Sequence, residues 1–262
     1  IPSILFYFGV LVQVHDRAVI TGMRPISDDP DHKQEKARAV LRENWLYLIP
    51  IAILIWLITR RVNPTVVGLV ATAATIVISW FIPGRRMGVR ETAAALRRTG
   101  GGILTVANAS AAAGLVIGGI MLTGLGGKFT SLVFAATGGF SGLCLVMVAL
   151  VCIILGMGMP VPAAYVLTAT LAAPALLEFK FSLMSSHLFI VYFSAISAIT
   201  PPVAVAAYAA AGISEGNPNS TGVEAVKLSI AAYLVPFVFM YRPALILDGG
   251  VWEIIYAAFV SF

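Results

Sequence analysis

Charged residues in this chain are confined to short stretches between long apolar runs, and the lengths of those runs predict the elements. Between Lys128 and Glu178 there are 49 residues without Asp, Glu, Lys or Arg. As one unbroken helix this run would measure roughly 74 Å, against a bilayer hydrocarbon core of about 30 Å. It must therefore break, and the sequence Gly156-Met157-Gly158-Met159-Pro160 supplies the place. Two glycines reach backbone angles that other residues avoid, and Pro160 removes an amide donor. From Phe181 to Ser214 a further 34 residues carry no acid, lysine or arginine, and one histidine, His187. That run holds a second interruption, Thr200-Pro201-Pro202. Paired overlong apolar segments, each interrupted by Gly or Pro, point to the ion and substrate site of a membrane transporter. Broken backbone at membrane depth exposes carbonyls and amides that need partners, and a bound ion or solute supplies them.

The same pattern divides the rest of the chain. Residues 1–14 read as the end of a truncated span, and 15–44 as a polar loop with six Lys/Arg and six Asp/Glu. Within that loop Asp28-Asp29-Pro30-Asp31 precedes Lys33 to Arg42, which is either a short solvated helix or a plain linker. Two spans are expected over 45–83, with Trp45, Tyr47 and Trp80 near their ends and a tight turn at Arg60-Arg61-Val62-Asn63-Pro64. Residues 84–98 differ in kind. Val89, Ala93, Leu96 and Gly100 share one helical face, with Arg86, Arg90 and Arg97 on another. This is an amphipathic helix, lying either in the membrane interface or packed on protein. From Thr99 to Gly127 the chain is uncharged and rich in small residues. Close helix packing explains that composition, and so does a re-entrant hairpin broken near Asn108, Ser110 and Gly114. The breaks near 156–160 and 200–202 fall within 99–212, and 213–262 holds a loop and terminal helices.

Composition agrees. Hydrophobic residues make up 59% of the chain and charged residues 11%, with a mean hydropathy of +0.94. A soluble domain is nearer half and a quarter. The uncharged runs do not alternate as barrel strands do, so the expected fold class is an all-α polytopic membrane protein with discontinuous helices and a re-entrant hairpin. Stretches 15–44 and 83–98 together hold eleven Lys/Arg and the 60–63 turn holds two, which places the former in the cytoplasm. The net charge of +5 follows from this topology, and no nucleic-acid partner is implied. There is no initiator Met, and the chain opens and closes inside apolar runs, as expected of a fragment cut within helices. Cys144 and Cys152 lie in one apolar segment and read as buried small hydrophobes.

The candidate chemistry is built from neutral oxygens. Carbonyls around Gly156, Met157, Gly158 and Met159, with the hydroxyls of Ser197 and Thr200, suit a hard alkali cation such as sodium. The methionines would offer backbone oxygen, not sulfur. Pro160, Pro201 and Pro202 set the breaks, and Asn108 and Ser110 are looser candidates for the transport path. A proton-coupled carrier usually places Asp, Glu or His within the bilayer, and here only His187 comes close, near a helix end. Enzyme signatures are missing: no metal-ligand spacing, no phosphate loop and no nucleophile motif. A carrier with proton coupling and a non-transporting scaffold subunit are the alternatives. A channel is disfavoured because no filter sequence or acidic ring appears.

These motifs carry a resemblance. Leu155-Gly156-Met157-Gly158-Met159-Pro160, Ala163-Ala164-Tyr165-Val166-Leu167, Ala173-Pro174-Ala175-Leu176, Ser197-Ala198-Ile199-Thr200-Pro201-Pro202-Val203-Ala204 and Ala207-Tyr208-Ala209-Ala210-Ala211-Gly212-Ile213 resemble the large membrane component of TRAP transporters. The likeness is strongest to fused permeases that work with TAXI-type solute-binding proteins. It implies a sodium-driven importer of an organic acid, a periplasmic TAXI-type binding protein as partner, and an elevator-type repeat in the cytoplasmic membrane of a bacterium or archaeon. On the same grounds the chain is expected to be the second repeat, lacking a first repeat and the small-subunit-like helices. The family's sodium sites at helix breaks carry over to Gly156–Pro160 and Ser197–Pro202.

Overall fold

The computed structural model describes residues 1–22, 45–82 and 87–261. Every regular element among them is helical. The chain forms two compact units, one of residues 1–22 and 105–262 and the other of residues 23–104.

In the smaller unit, helices α2 (Leu48–Thr59) and α3 (Pro64–Ser79) form an antiparallel hairpin. Its turn is chemically specified. Arg61 takes a left-handed conformation, Pro64 fits the first helical turn, and the Asn63 side chain accepts from the Thr65 amide at 2.9 Å. At the far end of α3 the Trp80 indole donates to the Met87 carbonyl at 2.8 Å. The Met87 amide donates to Ser79 Oγ at 3.1 Å. These bonds pin the start of helix α4 (Val89–Leu122) against the end of α3. Arg90 and Arg97 lie on α4, whereas Arg86 and the whole of 23–44 fall outside the described residues.

Two expectations are corrected here. The amphipathic segment is not a separate helix, and no hairpin breaks near Asn108–Gly114: α4 runs through both regions without interruption. Each Gly weakens a helix interior by about 1 kcal/mol and Ala favours it, so this composition does not break the helix. The chain reverses later, at Thr123-Gly124, where Gly124 has φ +62° and opens helix α5 (Leu125–Thr137). A boundary also moves. Helix α1 (Pro2–Ile20) carries six residues assigned above to the loop, with Thr21 Oγ1 closing it on the Arg17 carbonyl at 2.7 Å.

The larger unit is built around helices α6 (Ser141–Gly156), α7 (Val161–Glu178) and α8 (Leu183–Ile196), which pack on one another. Helix α6 buries Cys144, Leu145, Val148, Ala149, Cys152 and Gly156, a stripe at helical spacing. Helix α7 buries alanines at 163, 164, 172, 173 and 175, small enough to let α5, α6 and α8 approach closely. The two cysteines are free and buried. Helices α9 (Val205–Ser214), α10 (Pro218–Leu228) and α11 (Ile230–Tyr241) follow, and α12 (Val251–Ser261) closes the described chain. Helix α11 meets α8 through aromatic edges. Phe189 and Phe193 face Phe237 with centroids 5.4 and 5.7 Å apart, and Tyr192 faces Phe239 at 5.6 Å. Helix α1 lies along α11 and also meets α10, where Arg17 pairs with Glu224 at 2.6 Å.

Among the described residues, four helical stretches are long and apolar enough to cross a membrane: Pro2–Ile20, Val89–Leu122, Val161–Glu178 and Pro218–Tyr241.

Candidate functional site

Helix α6 stops at Gly156 and α7 starts at Val161, so the Gly-Met-Gly-Met-Pro sequence is the interruption. Gly158 has φ +76°, a left-handed conformation that side chains with a Cβ rarely adopt. Pro160 caps the following helix, and its carbonyl accepts from the Ala164 amide at 3.0 Å. The second interruption is longer than Thr200-Pro201-Pro202 alone. Helix α8 ends at Ile196 and α9 begins at Val205, leaving the eight residues 197–204 outside both helices. The Pro201–Pro202 peptide is cis, and buried Ala204 sits at φ +33°.

The two interruptions touch. A Cβ built on Gly156 would lie 2.5 Å from Ser197 Oγ and 3.0 Å from Ser197 Cβ, closer than real atoms approach. A Cβ on Gly158 would lie 3.5 Å from Val203 Cγ1. Gly156 is therefore small because Ser197 occupies its side-chain space. Ser197 is held in turn: its hydroxyl donates to the Ser194 carbonyl at 2.7 Å, and only 1% of the residue is exposed.

A line of hydroxyls backs this contact. Thr168 Oγ1 donates to the Ala164 carbonyl at 2.8 Å and lies 3.1 Å from Ser194 Oγ, joining α7 to α8. Thr200 Oγ1 donates to the Ile196 carbonyl at 2.8 Å and lies 2.7 Å from the Tyr233 hydroxyl on α11. The Tyr208 hydroxyl reaches the Pro202 carbonyl at 2.8 Å and Asn219 Oδ1 at 2.9 Å. Gly222 on α10 packs beneath, with room for a Cβ only at ordinary contact from Pro201, Ala204 and Tyr208.

Several backbone oxygens stay open. Among the described residues, the carbonyls of Met157, Gly158 and Met159 accept no hydrogen bond, nor do those of Ile199, Pro201 and Val203. The two touching breaks thus present backbone carbonyls and hydroxyls and carry no charged side chain.

Gly156, Met157, Gly158, Met159, Pro160, Ser197, Thr200, Pro201 and Pro202 thus lie in the two touching segments. Asn108 and Ser110 lie on exposed positions of uninterrupted α4 and make no hydrogen bond to either break. Sequence reasoning missed Thr168, Tyr233 and Tyr208. Tyr208 stands in a quoted motif, but Tyr233 has no local signal, because only tertiary packing brings α11 to the break. His187 lies one turn into α8, where its Nδ1 is 2.9 Å from the Tyr165 hydroxyl.

An all-α fold with multiple apolar helices and two interruptions in contact defines a multi-pass membrane protein. A match to the family described as the tripartite ATP-independent periplasmic transporter, DctM component, extends over residues 1–254, and the chain belongs to that family. It is therefore a TRAP transporter permease sequence, of a transporter family and not an enzyme family, whose partners are a periplasmic binding protein and the membrane. No curated protein and no solved structure matches the chain.

Proposed function

We propose that this permease couples the import of an organic acid to sodium, and that the segments 156–160 and 197–204 hold the ion together. The observation that supports this reading is the contact between Gly156 and Ser197, one residue from each break, with unbonded backbone carbonyls in both segments. Sodium is cargo here. The open carbonyls of Met157, Gly158 and Met159 and the hydroxyls of Ser197 and Thr200 are its candidate ligands. Amino ends of α7 and α9 offer free amides and partial positive charge to an anionic solute. The donor protein is of the TAXI type, the membrane is the cytoplasmic one of a bacterium or archaeon, and movement follows an elevator scheme. The motif resemblance supports these three points.

Proton coupling is the second reading, because His187 Nδ1 lies 2.9 Å from the Tyr165 hydroxyl in a part-buried contact between α8 and α7. One experiment separates the two. The complete transporter is reconstituted in liposomes with its binding protein, and uptake is driven by a sodium gradient at equal pH or by a pH gradient at equal sodium. The sodium reading expects uptake in the first case only. Uptake that ignores sodium and follows the pH gradient would overturn it and favour His187.

A further inference from the structure

We infer that Tyr233 is a positioning residue for the second break, holding the Thr200 hydroxyl so that its oxygen faces outward as a ligand. The inference rests on the sodium reading above and names a residue that reading does not require. A hydroxyl has one proton and two lone pairs. The Thr200 proton is committed to the Ile196 carbonyl at 2.8 Å. The 2.7 Å contact with Tyr233 is then a bond that the tyrosine donates. One lone pair on Thr200 Oγ1 accepts it, and the second remains open. Without Tyr233 the threonine oxygen would keep two open lone pairs and lose one of the two partners that hold it in place.

Helix α11 is firmly held for this task. Phe237 lies four residues after Tyr233, on the same helical face, and packs edge-on against Phe189 and Phe193 of α8. Ala232, beside Tyr233, is 3% exposed. The tyrosine reaches the break from a helix outside both interrupted segments. Its hydroxyl has no other hydrogen-bond partner among the described residues. It therefore acts through Thr200.

The test is a sodium titration of uptake by the complete transporter with its binding protein. It compares the unmodified protein with Thr200→Val, Tyr233→Phe and the double variant. Tyr233→Phe should raise the sodium concentration for half-maximal uptake several-fold. The substrate concentration for half-maximal uptake at saturating sodium should not change. The double variant should be no worse than Thr200→Val alone, since Tyr233 acts only through the threonine oxygen that Thr200→Val already removes. A Tyr233→Phe variant with reduced maximal rate but unchanged sodium half-saturation would make the tyrosine merely structural and overturn the inference. So would strictly additive effects. If the unmodified protein ignores sodium, the sodium reading itself falls. If it responds, and Thr200→Val shifts the titration while Tyr233→Phe does not, the positioning role alone falls. Should Tyr233→Phe fail to assemble, a second measurement decides. In the unmodified transporter carrying an isotope label at Tyr233, the phenol C–O stretch should move when sodium is added. A band indifferent to sodium would contradict the role.

Discussion

At the residue scale the closest constraint is the missing side chain of Gly156. An added Cβ would collide with Ser197 Oγ, which is anchored on the Ser194 carbonyl and swings away only by giving up that bond. Overpacking of this kind costs about 1–3 kcal/mol. Gly156→Ala should therefore abolish or sharply reduce uptake while the protein still reaches the membrane. Adding Ser197→Gly should restore part of the folded-state stability, because the colliding atoms are gone. A melting temperature equal in Gly156→Ala and the pair would show that the two breaks do not touch there. The sequence announced Gly156 as a break residue but not its contact, since 41 positions separate it from Ser197 and no periodicity spans that gap. Ser186 offers a contrasting case. Its hydroxyl is buried without a partner among the described residues, so Ser186→Ala removes an unsatisfied group and should leave stability equal or higher. A large loss of thermal stability would mean that the hydroxyl is bonded in the working protein.

At the scale of elements, run length was a sound guide where a run far exceeded what a bilayer accommodates. The breaks after Gly156 and Ile196 were legible because length, Gly and Pro agreed. Thr99 to Gly127 misled for the opposite reason. Its small and polar residues fit a hairpin and a close-packed helix equally, and α4 takes the helix. The true reversal uses Gly124 in a left-handed conformation, a signal of one residue. A distance measurement between spin labels on Val106→Cys and Met121→Cys checks this. A continuous helix separates these backbone positions by about 22 Å, and a hairpin broken near Asn108–Gly114 makes them clearly closer. The aromatic seam between α8 and α11 makes a second claim at this scale. Phe237→Ala removes the ring facing both Phe189 and Phe193; a fully buried ring costs about 3–5 kcal/mol, and partly buried Phe237 less. The melting temperature of the purified transporter should fall accordingly, and sodium half-saturation should rise if α11 carries Tyr233 to the break.

For the whole molecule, the sequence made the class plain through mean hydropathy and uncharged runs, and the quoted motifs carried the family resemblance. What it left dark is assembly in three dimensions: which hydroxyls back the breaks, and that α11 reaches one of them. Those contacts join residues far apart in the chain, through packing that no local pattern encodes. If the two breaks act as one ion site, as proposed, sodium binding needs both. Equilibrium binding of radioactive sodium to the purified complete transporter tests it most directly, with one variant at each break. Gly158→Val strains the left-handed position of the first break, and Thr200→Val removes a hydroxyl from the second at nearly constant volume. Saturable sodium binding in the unmodified protein, weakened several-fold by either variant alone, is the predicted result. Sodium binding that survives both substitutions unchanged would contradict the account.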